Sequence, residues 1–330
     1  MDHVHMGPGG PLVSRFGIGA MSFAGAYGDA SVEDSHAVLD MCRDRGVTHI
    51  DTSNIYGMGR SEEIIGAWFA AHPGARDTVH LATKGGITGD ETRPFNNDAD
   101  YLMAELDGSL ARLGVDHVDL YYIHRYDRAQ SPEALGAVLA RLIASGKTRA
   151  VGLSEIAPST LRRVASVCPV AAVQSEYSLS TRAPELGLLQ ACADLGTTFV
   201  AFSPVGRTLL TDRPWGPKRV ADIPFIRGNP RFIEPNYSAN IAATDRFRAL
   251  AADMGISAAG LAIAWTRAQG PHVLPIPGTS RPAHLAELLE GVERDLTAED
   301  LARIEAVLPV GWAHGDRYND VQWRGPERYS

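Results

Sequence analysis

Apolar positions along the chain follow two alternating rhythms. Eight short runs are almost continuously apolar and rich in β-branched residues: 16–21, 47–51, 79–84, 117–124, 149–154, 171–174, 198–203 and 272–276. Runs of this kind predict strands buried on both faces, as in a parallel sheet covered by helices. Longer segments between them carry a helical period. Leu102, Leu106, Leu110 and Leu113 recur on one helical face up to Gly114. Leu135, Val138, Leu139, Leu142 and Ile143 do so between Ser131-Pro132 and Gly146, with serine as N-cap, proline at the first helical position and glycine at the exit. Ser31 to Asp34 and Thr297 to Asp300 resemble capping boxes and predict two more helix starts.

Eight strands, each followed by a helix, predict an α/β protein: a single (β/α)8 TIM barrel spanning 1–330, with no linker between domains. Two segments exceed what the repeat needs. The stretch from Ser203 to His272, with its proline-rich part 214–235, is expected to be a long functional loop after the seventh strand. The C-terminal tail after Pro309 contains Trp312, Tyr318, Trp323 and Tyr329, which either pack on the outside of the barrel or wall a pocket.

Composition narrows the function classes. The 330 residues include 31 Lys and Arg against 39 Asp and Glu, a formal charge of −8, and this acidic balance argues against a nucleic-acid partner. No stretch has the roughly 20 apolar residues of a membrane span, and residues 1–11 do not read as a signal peptide, so a cytoplasmic location is expected. Cys42, Cys168 and Cys192 fit neither a disulfide framework nor a metal knuckle and read as free core thiols.

Several motifs imitate other chemistries. Gly17-Ile18-Gly19 lacks the third glycine of a dinucleotide fingerprint, and Gly146-Lys147-Thr148 leads into a strand rather than out of one. Ser154 in Gly152-Leu153-Ser154-Glu155-Ile156 lacks the closing glycine of a nucleophile elbow. His3 and His5 precede the first predicted strand, which suits a mobile terminus better than a metal site, and the strand ends assemble no His/Asp metal set.

Active sites of (β/α)8 barrels lie where strands end. The second, third and fourth predicted strands bring Asp51, Tyr56, Lys84 and His124 to that end. A phenol is a poor acid at neutral pH unless a nearby cation stabilises its anion. Lys84 supplies the cation, Asp51 holds the lysine charged, and His124 orients a substrate oxygen. Without a nucleophile, a metal set or a carboxylate pair, the group suits protonating an oxygen while hydride attacks the carbon. Hydride requires a nicotinamide, and phosphate sites in this fold follow the last two strands. Those segments are Ser203-Pro204-Val205-Gly206-Arg207 and Gly278-Thr279-Ser280-Arg281, the latter entering a helix.

The run Asp-x-x-x-x-Tyr-Gly, Ala-Thr-Lys and Tyr-Tyr-x-His resembles the aldo-keto reductases over nearly the whole chain. Gly152–Glu155, Val173–Leu179, Phe202–Arg207 and Ile276–Thr279 resemble its microbial and plant branch. The resemblance implies NADPH-dependent reduction of an aldehyde or ketone, or the reverse, with NAD as the lesser cofactor and Tyr56 as general acid/base. It further implies Tyr177 stacked on the nicotinamide, Ser154 and Gln174 on its carboxamide, and Ser203 to Arg207 on the pyrophosphate. Met21, Asp51, Gly278, Thr279, Ser280, Arg281, His284 and Glu287 complete the expected cofactor set. Glu155 stands where the family often has Asn, His284 where it often has Arg, and Leu288 where an adenine-contacting Asn is usual, which implies weaker adenine binding. Phe23, Tyr56, His124, Tyr126 and Trp215 are the expected substrate contacts, for a small carbonyl or alcohol. A different class, a cofactor-sensing regulatory subunit of the same fold, remains the alternative.

Overall fold

The computed structural model describes residues 1–328. The chain opens with an antiparallel hairpin, β1 (His3–His5) and β2 (Leu12–Ser14). Then come β3 (Gly17–Gly19), β4 (His49–Asp51), β5 (His80–Gly85), β6 (Val118–Ile123), β7 (Thr148–Ser154), β8 (Ala172–Glu176), β9 (Thr198–Phe202) and β10 (Val273–Ile276), parallel and paired in sequential order. The Gly19 amide donates to the Pro277 carbonyl at 2.9 Å and brings the two edges of this sheet together. A Cβ on Gly19 would lie 3.0 Å from the Ile276 carbonyl oxygen, so this approach needs a residue without a side chain.

Helices surround the strands: α1 (Val32–Asp44), α2 (Arg60–Ala71), α3 (Ala99–Leu113), α4 (Pro132–Ala144), α5 (Pro158–Ala165), α6 (Leu188–Leu195), α7 (Pro217–Asp222), α8 (Asn236–Asp253), α9 (Ala258–Ala268), α10 (Pro282–Glu290) and α11 (Ala298–Val307). Their caps are those the sequence signs. Ser31 and Ser131 accept from the amides of Asp34 and Ala134, and Thr297 with Asp300 forms a reciprocal capping box. The four leucines of α3 at 102, 106, 110 and 113 are buried against the barrel. The architecture is the (β/α)8 barrel the alternating pattern predicts. The three cysteines are buried free thiols.

Two expectations need correction. The N-terminus is the ordered hairpin, and its Met6 and Val13 pack beneath Ala82, Leu120, Tyr122, Ala172, Val200 and Leu274 of the barrel interior, closing its floor. The long segment after the seventh barrel strand is loop only to about residue 235, because α8 and α9 fill the rest. The buried side of α8 includes Asn240 and Thr244 beside Tyr237, Phe247 and Ala251, which breaks the apolar stripe that would have announced it. Asn240 is committed to backbone: its amide donates to the Arg231 and His314 carbonyls, both at 2.9 Å.

Near the barrel floor, the rings of His49 and His80 meet with Nδ1 atoms 3.0 Å apart. Burial pushes His49 well below the usual imidazole range and takes His80 down to about 4. Unfolded histidines titrate near 6.5, so below that pH the unfolded chain binds more protons. Their contribution is fully present above about pH 6.5 and is lost as pH falls toward the folded values. The urea midpoint is therefore expected to drop between pH 7.5 and 5, and less so in His80→Gln; an unchanged wild-type midpoint refutes this.

Candidate active site

A cavity of about 980 Å³ opens where the barrel strands end. Asp51 is the last residue of β4, Lys84 the penultimate residue of β5, and His124 directly follows β6. Asp51 and Lys84 are almost wholly buried and form an ion pair, and the Lys84 ammonium also donates to the Thr52 carbonyl at 2.7 Å. Tyr56 lies in the loop after β4, its Oη 3.3 Å from Lys84 Nζ. Burial pulls the Lys84 pKa downward, but Asp51 and Tyr56 outweigh it and hold the ammonium above its ordinary range. Burial raises the Asp51 carboxyl, and Lys84 offsets this only in part.

The rings of Tyr56 and His124 stand edge to face with centroids 5.9 Å apart. Ser53 Oγ engages His124 Nδ1 at 3.1 Å, leaving Nε2 without a protein partner among the described residues. Burial, then the charges of Arg125 and Lys84, push His124 well below the imidazole range, so the ring is neutral at physiological pH. Gln174 donates to the free oxygen of Asp51 at 2.8 Å. That bond uses its amide nitrogen and leaves its carbonyl for a donor in the cavity. Left-handed backbone at Glu155, Ser203, Arg207 and Thr208 (φ 57°, 51°, 53° and 82°) places local strain just after the strand ends.

Most of the expected site residues meet around this cavity. Met21, Asp51, Tyr56, His124, Ser154, Gln174, Ser203, Pro204, Val205, Arg207, Trp215, Gly278, Thr279, Ser280, Arg281 and His284 line it, and Lys84 lies beneath Tyr56. Five expected residues do not line it. Tyr177 is fully buried between Phe199 and Trp265, with its hydroxyl on Glu185, so it cannot stack on a ring in the cavity. The aromatic at this wall is Phe202, the last residue of β9, whose position at a strand end beside Ser203-Pro204 was the available signal. Phe23 and Tyr126 are core residues rather than substrate contacts, because the short helical turn after β3 and the loop after β6 direct them inward. Gly206 shapes the turn without facing the cavity, and Glu287 pairs with Arg213. Leu288 is likewise packed in the core, so it is not an adenine-contacting position.

The tail supplies walls that spacing did not assign. Tyr318, Val321, Gln322 and Gly325 line the cavity, whereas the Trp312 indole donates to the Leu179 carbonyl and Trp323 meets Tyr318 edge to face. Tyr329 lies outside the described residues. Beneath Tyr318 sits a buried charge cluster. Glu155 receives Arg317 and the Glu176 amide, and Glu176 receives Arg207. Although burial acts upward on Glu176, Arg207, Arg317 and Arg231 hold it below the usual carboxylate range. Glu155 thus anchors the tail instead of facing a cofactor amide.

The donor set fits a nicotinamide dinucleotide. A Cβ on Gly278 would lie 3.0 Å from the Gly19 carbonyl oxygen, so the approach to α10 is a cleft kept open by two glycines. Beyond it the start of α10 offers the Ala283 amide beside the side chains of Ser280, Arg281 and His284, an arrangement suited to phosphate.

Comparison with known proteins agrees. An Aldo/keto reductase family profile matches residues 15–309. The chain is 37% identical to the aldo-keto reductase yakc [NADP(+)] of Schizosaccharomyces pombe, over 94% of this chain and 93% of that one. It is 34% identical to probable aldo-keto reductase 1 of Glycine max, over 96% and 91% of the two chains. The structure of the glycerol dehydrogenase AKR11B4 from Gluconobacter oxydans superposes with a TM-score of 0.80 at 28% identity, covering 93% of this chain and 95% of that one. With this barrel, and with this match across most of its length, the chain belongs to the aldo/keto reductase family.

Proposed function

We propose that the protein is an NADPH-linked carbonyl reductase, able to run in reverse as an alcohol dehydrogenase, with Tyr56 as general acid and base. The observation that carries this is the contact between Tyr56 Oη and a fully buried, Asp51-paired lysine ammonium, opposite a neutral histidine in the same cavity. NADPH, when bound, supplies the hydride. Ser154 Oγ and the Gln174 carbonyl suit its carboxamide, Phe202 offers a ring face, and Ser280, Arg281 and His284 suit the adenosine phosphate. Arg207 is committed to Glu176, so the backbone of residues 203–208 is the better match for the pyrophosphate than its guanidinium.

In reduction, Tyr56 gives its proton to the substrate oxygen as negative charge develops there. Lys84, 3.3 Å away, stabilises the phenolate this leaves. In the tautomer in which Nδ1 accepts from Ser53 Oγ, His124 donates from Nε2 to the same oxygen and fixes its direction. In oxidation the phenolate takes the proton back. The similarity to yakc [NADP(+)] and to a glycerol dehydrogenase supports the cofactor and both directions.

The test is loss of NADPH absorbance with an activated aromatic aldehyde, together with titration of NADPH and NADH by protein fluorescence. Turnover with tighter NADPH binding is expected. Tight binding without turnover would move the weight to a cofactor-sensing role, and no binding would overturn the site assignment.

A further inference from the structure

Among the charged side chains lining the cavity, Arg125 stands apart. It directly follows His124, and one of its guanidinium nitrogens donates to the His124 carbonyl at 2.6 Å and to Ser154 Oγ at 3.3 Å. Among the described residues no carboxylate oxygen lies within 4.0 Å of it, so the rest of its donor fork has no anionic partner. Lys84 is paired with Asp51 and Arg207 with Glu176, whereas Arg219, likewise without a carboxylate, is exposed at the rim and reaches the Tyr27 carbonyl and the Trp215 ring. Arg281, at the entry to α10, belongs with the phosphate-binding residues.

The tail holds Arg125 in place. A Cβ on Gly325 would lie 2.6 Å from Arg125 Cδ, so the tail crosses this side chain at its one glycine there, and Arg128 fastens the next residue by donating to the Pro326 carbonyl at 2.7 Å. A second observation is independent of Arg125. The buried cluster behind Tyr318 sets three guanidiniums, Arg207, Arg231 and Arg317, against two carboxylates, Glu155 and Glu176. Burial takes Arg231 down only to about 10, so all three stay charged at neutral pH. Within these ion pairs the guanidiniums outnumber the carboxylates by one, with Asp316 the further carboxylate acting on Arg231, behind the wall that Tyr318 and Arg207 present to the cavity. The cavity lining carries Arg125, Arg207, Arg219 and Arg281 against Asp29 and Asp51, a positive balance that favours anions in a protein of net charge −8.

We propose that the substrate is an anionic carbonyl compound, an aldehyde or ketone bearing a carboxylate that Arg125 receives, with the matching hydroxy acid as the product. The planar fork of Arg125 suits a carboxylate in two-point contact, and its neighbour His124 sets the reacting oxygen within reach of the same molecule. Ile87, Phe95, Trp215 and Tyr318 form apolar walls that accommodate a hydrocarbon or aromatic body between the two ends.

Resting on the reductase reading, the inference is tested by comparing kcat/KM for 4-carboxybenzaldehyde and its methyl ester. Wild type is expected to favour the acid by about 10-fold or more, and Arg125→Gln to erase most of that ratio through KM, with Arg125→Lys between. Equal use of acid and ester by wild type overturns the proposal and leaves the reductase reading standing, as does a ratio that Arg125→Gln leaves unchanged. Binding of terephthalate and of its dimethyl ester to the NADP+-loaded protein, read by tryptophan fluorescence, separates the two readings. Terephthalate preference lost in Arg125→Gln, without turnover of any aldehyde, supports the anion site and refutes the reductase; no preference overturns the anion site.

Discussion

Tyr56→Phe is expected to lower kcat by about 10³-fold, within the 10²–10⁴-fold range of a positioned general acid. The substitution removes one oxygen and keeps the ring. Lys84 retains Asp51 and the Thr52 carbonyl, so the buried ion pair survives and the variant should fold. In the proposed role the phenol acts on the substrate oxygen, so dissociation constants for NADPH should stay within about twofold of wild type, a shift of only ~0.4 kcal/mol. Stopped-flow measurement of hydride transfer, beside a fluorescence titration of cofactor, checks both halves. A variant that keeps more than a tenth of wild-type kcat under conditions where chemistry limits would remove Tyr56 from the acid role and leave His124 as the candidate donor.

Glu155→Gln is expected to destabilise the protein by about 3–5 kcal/mol, the usual cost of leaving one partner of a buried ion pair without the other. The amide is close in shape, so the loss is electrostatic: Arg207, Arg231 and Arg317 would then face Glu176 alone. Residues 316–328 should loosen first, because Arg317 is the charged anchor that ties the tail to β7 and Tyr318 packs between Arg317 and Arg207. Urea denaturation gives the global loss, and limited trypsin digestion reports cleavage in the tail, where the buried Arg317 becomes accessible. Adding Arg317→Met should recover part of the stability, since a buried ion pair replaced by apolar groups is often neutral. An unchanged urea midpoint with an intact tail would show that the cluster does not hold it.

The tail links these two expectations. Tyr318 and Val321 line the cavity, so under the proposed function a detached tail should raise KM for a bulky aldehyde while Asp51 and Lys84 on β4 and β5, and Tyr56 in the loop after β4, keep their geometry. The same tail passes over Arg125 at Gly325, so the proposed carboxylate contact weakens with it.

Much of this was legible in the chain. Strands buried on both faces write themselves as apolar runs, helices as leucine rows with signed ends, and a barrel places its chemistry at strand ends, so Asp51, Tyr56, Lys84 and His124 could be gathered by local pattern. What local pattern did not carry was the direction of a side chain past the end of its element and the identity of distant partners. Phe202 ends β9 and Tyr177 directly follows β8, yet one faces the cavity and the other is sealed against Phe199 and Trp265. Glu155 stood out in the chain only as a departure from the family's usual Asn, and its role stayed open there because its partner Arg317 is 162 residues away. The floor hairpin and α8 were missed for related reasons: each strand of the hairpin is three residues long, too short for a period to register, and α8 buries amide and hydroxyl groups that find their partners in the loop and tail. The order of elements and the candidate tetrad follow from local patterns and strand ends, whereas the pocket wall and the tail anchor depend on pairings that the chain makes only once it has closed on itself.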